Sequence, residues 1–321
     1  MYADIDKPHA PHHLANLSNG LVSKLASFTG LILTIVMVVY FFIRYYIFEL
    51  FLLPRFYGHI YKNLNETNRR GFVNHHVAGA AKILLCFFTA YPFLSVAFGN
   101  ANFNTPLAKH SPATMGDAMV ISSQIFVGMY LTELLFRSKL SPVAVGHHVG
   151  AIVITQAAIA ISLNASHEQD ATIEFILCFF WGAFDILAEF WPHVAIILYR
   201  VYISNHEFLI KIFRAACFST LIGTTIETIV VMWLFGSLWP KWTIGFKVAT
   251  PILHVVFSAA QVWGSIIFYR MWQHQKRLLA EERGETEDKE SAGVVQPSGS
   301  TDAILLPMTD LPRTSNSAGS A

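Results

Sequence analysis

The sequence predicts an all-α, polytopic membrane protein with seven transmembrane helices. Only 13% of its 321 residues are charged and 54% are hydrophobic, whereas roughly a quarter of a soluble domain is charged. Apolar stretches of about 20 residues, enough to cross the hydrocarbon of a bilayer, recur seven times. The polar residues inside those stretches fall on stripes instead of scattering, as a bundle around a polar cavity requires. A formal net charge of +1 gives no case for nucleic acid as a partner.

The elements follow in order. Residues 1–24 are polar and rich in proline and histidine and form the amino-terminal tail. No cleavable signal is visible in them, so the first span, 25–53, serves as the targeting signal. Further spans are expected at 77–98, 118–136, 143–163, 171–199, 212–239 and 248–269. The first and fifth are long enough to tilt. Residues 280–321 are charged and Gly/Ser/Pro-bearing and read as a disordered tail. Cys86, Cys178 and Cys217 all lie in apolar spans, where cysteine acts as a small packing residue and not as half of a disulfide.

Lysine and arginine set the orientation. Twelve of them flank the loops after the first, third and fifth spans and the segment after the seventh; five lie on the other side. The bias puts the amino terminus in the lumen and the carboxyl tail in the cytosol. The glycosylation sequons at Asn16 and Asn164 both fall on the lumenal side, and the one at Asn65 on the cytosolic side. Trp239 and Trp242 fit a lumenal interface, and Trp272 a cytosolic one.

The fifth span carries Glu174, Asp185, Glu189 and His193. At about 100° per residue these lie near −20°, 0°, +40° and +80°, one face of the helix. Trp181 is on or close to the same stripe. Each ionisable group at mid-membrane costs about 2.5–3.5 kcal/mol unless it faces partners or water, so the stripe implies an internal cavity. Matching stripes are His254, Ser258, Gln261 and Ser265 on the seventh span, Thr220, Thr224 and Glu227 on the sixth, and Ser122, Met129 and Glu133 on the third. On the fourth, Thr155 and Ser162 lie close to the direction of His148. His148 is therefore expected to face the cavity, with His147 at its edge or against an adjoining helix. The cavity is expected among spans four to seven.

Other polar residues have plainer readings. Glu133 and Arg137 fit a helix-end pair, and Arg44 and Glu49 a snorkelling pair or a contact to another helix. Lys82 is placed to snorkel to the cytosolic surface. His12–His13 and His75–His76 read as surface histidines. "HAPHH" at 9–13 matches one histidine box of the membrane di-iron enzymes, but the further boxes that such sites need are missing, so no metal is expected.

"MYLTELLFRSKLSPVAVGHHVGAIV" (129–153), followed one helix later by "FDILAE" (184–189), resembles the TLC family of TRAM proteins, ceramide synthases and ceroid-lipofuscinosis-type membrane proteins. The matched features are a basic turn, the His147–His148 pair opening a helix, and Asp185 with Glu189 on the next. The resemblance covers about 70–270 and implies a six-helix unit, spans two to seven, enclosing a polar cavity. The chain is divergent from ceramide synthases, since Trp181 and Gly182 stand where their His-Asp would fall, and Ala188 where leucine is expected. By resemblance, His147, His148, Asp185 and Glu189 are the catalytic candidates, with His193, Glu227, His254, Gln261 and Trp181 lining the cavity.

An imidazole there can act as general base on an amine or hydroxyl, or accept an acyl group, with a carboxylate fixing its tautomer. Hydrogen bonding between helices is the purely structural alternative. The implied role lies in lipid metabolism or homeostasis, in the sphingolipid and ceramide class, at the endoplasmic reticulum. It would be carried out by acyl transfer or by lipid binding and sensing. Acyl-CoA is the expected co-substrate, with no bound cofactor. Membrane lipids are the expected partners, and a homodimer is allowed. The rivals are a seven-helix transporter or receptor, or a non-enzymatic cargo escort; the tail segment "DAILL" (302–306) fits a sorting signal of the last kind.

Overall fold

The computed structural model describes Leu14, Leu17 and residues 21–163 and 171–284. Asn16, Asn164, His12, His13, 302–306 and most of the expected carboxyl tail lie outside the described residues. Seven long apolar helices cross the molecule: α1 (Lys24–Tyr57), α2 (Glu66–Ala97), α3 (Met115–Phe136), α4 (Pro142–Leu163), α5 (Ala171–Val201), α6 (His206–Ser237) and α7 (Ile244–Glu282). No strand occurs among the described residues. Their outer faces carry a belt of exposed large apolar side chains, among them Phe87 (83% exposed), Ile229 and Val255. In water such a belt would aggregate, whereas lipid tails solvate it. The chain is an all-α integral membrane protein.

Several helices run beyond the apolar stretches that mark them in sequence. α2 begins at Glu66, capped by the Asn65 side chain, which accepts from the Asn68 amide at 2.8 Å. This places His75 well inside the helix. α7 continues to Glu282, so residues 280–282 belong to it and not to the tail. Within α1 the segment Ile43–Leu52 is π-helical. The wider turn matters, because residues five apart align on a π-helix but diverge on an α-helix. It brings Arg44 to 3.0 Å from Glu49, and Arg44 also lies over the Phe136 ring of α3 at 4.6 Å.

α5 lies at the centre, packed against α2, α4 and α6. α3 touches α2 and α4, α7 pairs with α6, and α1 leans on α3 from outside. α6 crosses α5 closely enough that a Cβ on Gly223 would come within 2.6 Å of the Ala188 Cβ. The small residue at 188, unexpected from the family resemblance, lets this crossing form. Of the three cysteines, Cys217 is buried, Cys178 half-buried and Cys86 exposed, and none is in a disulfide.

The end where the chain enters the bundle is closed by an apolar cluster. Leu14, Leu17, Val22 and Ala26 pack there against Phe93, Phe103, Met115, Phe175 and Leu238. Part of the expected polar tail is therefore core. Trp242 is buried in the same cluster, and its indole donates to the Phe235 carbonyl at 3.0 Å; Trp239 stays exposed.

A reciprocal capping box starts α3: Thr114 Oγ1 accepts from the Asp117 amide, and Asp117 accepts from the Thr114 amide. Ser23 Oγ also donates to Asp117, at 2.5 Å, which ties the start of α1 to the start of α3. A Cβ on Gly116 would lie 1.9 Å from the Val22 carbonyl oxygen, so only glycine fits. Gly116→Ala is expected to cost about 1–3 kcal/mol through overpacking, seen as a lowered midpoint of thermal unfolding in detergent. Gly30→Ala, with open space around it, should leave that midpoint unchanged.

Candidate functional site

Among the described residues, interior polar side chains of α2 to α7 build two adjoining networks and a third chain. The first network centres on His147 of α4 and Asp185 of α5. His147 Nε2 lies 3.2 Å from Asp185 Oδ1 and 3.6 Å from Glu189 Oε1. Tyr130 of α3 donates its hydroxyl to Asp185 Oδ2 at 2.6 Å. Lys82 of α2 is fully buried, and its Nζ donates to Asp185 Oδ2 at 3.4 Å, to Glu189 Oε2 at 3.2 Å and to the Asp185 carbonyl at 3.3 Å. Two carboxylates, one ammonium, one phenol and one imidazole thus satisfy each other, which makes burial of the charges tolerable. His147 Nε2–H facing Asp185 fixes one tautomer and leaves Nδ1, which has no hydrogen-bond partner, as the basic nitrogen.

The second network sits beside it. His148 approaches Glu133 of α3, Nε2 to Oε2, at 2.7 Å. That approach has the distance of an ion pair without the direction of a hydrogen bond, and neither nitrogen of His148 has a hydrogen-bond partner. Asn74 of α2 donates to Glu133 Oε1 at 2.7 Å, and Arg137 is 3.9 Å from the same oxygen. His75 of α2 meets His193 of α5, Nδ1 to Nδ1, at 2.9 Å.

The third chain joins α5, α6 and α7. Trp181 Nε1 donates to His254 Nδ1 at 3.2 Å, and His254 Nε2 lies 3.1 Å from Thr228 Oγ1. Two turns further along α7, Gln261 donates to Glu227 at 3.0 Å and accepts from Thr224 at 2.7 Å.

Two cavities are lined by these groups, and a third adjoins one of them. An apolar one of about 300 Å³ lies between α2, α3, α4 and α5, lined by Leu85, Phe93, Phe126, Phe175 and Ile186 among others. A small one of about 40 Å³ is lined by His147, Asp185, Glu227, Phe257 and Gln261, and it shares the walls Phe126, Thr155, Cys178 and Gly182 with the first. A vestibule of about 300 Å³ opens at the end opposite chain entry. His75, Glu133, His148, Glu189 and His193 line it, with Arg137, Lys139 and Arg200 among its basic residues.

The site departs from the sequence reading in five ways. His147, not His148, reaches Asp185 and Glu189, because the approach of α4 to α5 presents that side of the helix. The polar centre involves α2 and α3 as well as α4 to α7. Lys82 does not snorkel, since Asp185 and Glu189 hold it inside. His75 is buried against His193 and His76 is half-buried, its Nε2 2.9 Å from the Tyr57 hydroxyl, so neither is a surface histidine. Glu133 is more than a helix-end partner of Arg137. His193, Glu227, His254, Gln261 and Trp181 do face the interior, but His254 and Trp181 pair with each other away from His147.

Sequence reasoning passed over Tyr130 and Asn74 and placed Lys82 and His75 at the surface. A signal for the α2 residues was present: Asn68, His75, Lys82 and Thr89 recur every seven residues and so share a face. No protein-family model matches the chain, and neither a curated protein nor a solved structure matches it.

Proposed function

We propose that this is a TLC-type membrane protein of lipid metabolism that transfers an acyl chain from acyl-CoA to the amine or hydroxyl of a membrane lipid. It would sit in the endoplasmic reticulum with its amino terminus lumenal and its tail cytosolic. The observation that carries the reading is the carboxylate–imidazole pair of Asp185 and His147, which lines a small cavity that shares the walls Phe126, Thr155, Cys178 and Gly182 with a larger apolar one. A cavity of about 300 Å³ is within the range of small-ligand sites, and apolar walls with a few convergent polar groups are their usual chemistry.

In this reading the apolar cavity takes an acyl chain, and His147 Nδ1 accepts the proton of the acceptor as its oxygen or nitrogen attacks the thioester carbonyl. Asp185 stabilises the imidazolium that results. The CoA thiolate then leaves and takes up a proton. The vestibule with Arg137, Lys139 and Arg200 opens at the end that the lysine and arginine bias assigns to the cytosol, the side on which acyl-CoA is found. Phosphate groups are well matched by such a set of cations.

The test uses the full chain in lipid nanodiscs with labelled acyl-CoA and a mixture of amine- and hydroxyl-bearing lipids. Expected is a labelled lipid product together with stoichiometric free CoA. Retention of lipid on the protein with no product would replace catalysis by lipid binding. Neither product nor retained lipid would remove the lipid-active reading.

A further inference from the structure

We infer that His75, Glu133 and His193 form a metal site at the floor of the vestibule, fitted to a divalent transition ion and best to zinc. The inference is independent of acyl transfer and concerns a different set of residues. Each of the three offers one ligand atom, these atoms all lie within 4.8 Å of one another, and all three residues are buried. They come from α2, α3 and α5, so the site exists only in the folded bundle. Two imidazoles with one carboxylate are the donor set of open zinc sites and of some iron sites. All three residues line the vestibule, so an ion there would keep a position for water or for an oxygen of a bound molecule.

Geometry agrees with the chemistry. Two nitrogens bound to one tetrahedral zinc sit about 3.3 Å apart, given bonds of about 2.0–2.1 Å. His75 Nδ1 and His193 Nδ1 are 2.9 Å apart. One oxygen of the Glu133 carboxylate lies within 4.8 Å of both nitrogens. Asn74, donating to Glu133 at 2.7 Å, then serves as the outer partner that orients a ligating carboxylate.

His148 stands beside the site. Its side chain is only 8% exposed, it lines the same vestibule, and its Nε2 lies 2.7 Å from Glu133 Oε2. It is an outer neighbour of the carboxylate, as Asn74 is, and not one of the three residues whose ligand atoms lie within 4.8 Å of one another.

The group His147, Asp185 and Glu189 also has metal-ligand spacing. There, however, Lys82 Nζ already lies 3.2–3.4 Å from both carboxylates and takes the place a cation would occupy.

The experiment is metal analysis of the full chain, purified in detergent without chelators, followed by stripping with a chelator and titration with Co²⁺. Expected is about one zinc per chain, a Co²⁺ absorption band of the intensity that tetrahedral nitrogen and oxygen ligands give, and its loss on adding back zinc. Glu133→Gln and His193→Ala should lose the metal while keeping the elution volume of the native chain, and His147→Ala should keep it. The inference is overturned if the native chain binds neither zinc nor Co²⁺, or if His147→Ala alone loses the metal. Should the variants fail to fold, the Co²⁺ spectrum of the native chain decides alone: no band, no site.

Discussion

Lys82→Met is expected to leave little folded protein, with a loss of about 3–5 kcal/mol, the cost of removing one partner from a buried ion pair. Total stability of about 5–15 kcal/mol makes that a large share. The reason is local. Lys82 has no exposed surface, and its ammonium stands 3.4 Å from Asp185 and 3.2 Å from Glu189. Methionine fills nearly the same volume, so packing is kept and the charge alone is lost. Two carboxylates then face each other in a low dielectric, with only Tyr130 and His147 to compensate.

The measurement is thermal unfolding in detergent followed by tryptophan fluorescence. The triple variant Lys82→Met, Asp185→Asn, Glu189→Gln removes the charges together and should recover most of the midpoint, because replacing a whole buried ion cluster is often near neutral. It should show no acyl transfer. A single Lys82→Met protein as stable as the native chain would mean that the lysine is not the counter-ion of the site.

That prediction rests on a residue whose place the sequence hid, and the reason is instructive. The seven spans and their polar stripes could be read because each depends on periodicity within one helix, and Asp185, Glu189 and His193 follow it. Which stripe meets which depends on helix packing, and that has no local signature. Lys82 looked solitary because its partners lie on α5, about a hundred residues away, and snorkelling is the usual fate of a lysine near a helix end.

His75 looked like a boundary residue because the apolar stretch starts at 77, although the helix starts at Glu66. Polar first turns carry no hydropathy signal, yet the Asn65 cap does mark them. The choice between His147 and His148 is the sharpest case. Neighbouring residues on a helix diverge by about 100°, so one imidazole of an adjacent pair must turn elsewhere. The Thr155 and Ser162 stripe favoured His148, whereas the contact of α4 with α5 decides for His147, and Glu133 receives its neighbour.

The same divergence yields the ranking expected of the site variants in acyl transfer. His147→Ala should reduce transfer by about 10²–10⁴-fold, the usual worth of a positioned general base. Asp185→Asn should fall towards the same range, because an amide facing Nε2 at 3.2 Å no longer favours the tautomer with a basic Nδ1 and cannot stabilise the imidazolium. In the best-studied serine enzymes the equivalent change costs about 10⁴. Here the loss should be smaller, since Glu189, 3.6 Å from the same nitrogen, remains as a second carboxylate.

Asp185→Asn combined with Glu189→Gln should match His147→Ala, and adding His147→Ala to that pair should cost nothing further, as expected of groups that act as one unit. Initial rates in nanodiscs at saturating acyl-CoA, corrected for folded fraction, measure all four. His148→Ala, whose imidazole faces Glu133 instead, should lose less than His147→Ala. If His148→Ala were the more damaging and His147→Ala nearly silent, the carboxylate–imidazole pair would not be the reacting centre, and the chemistry would have to lie on the vestibule side of α4.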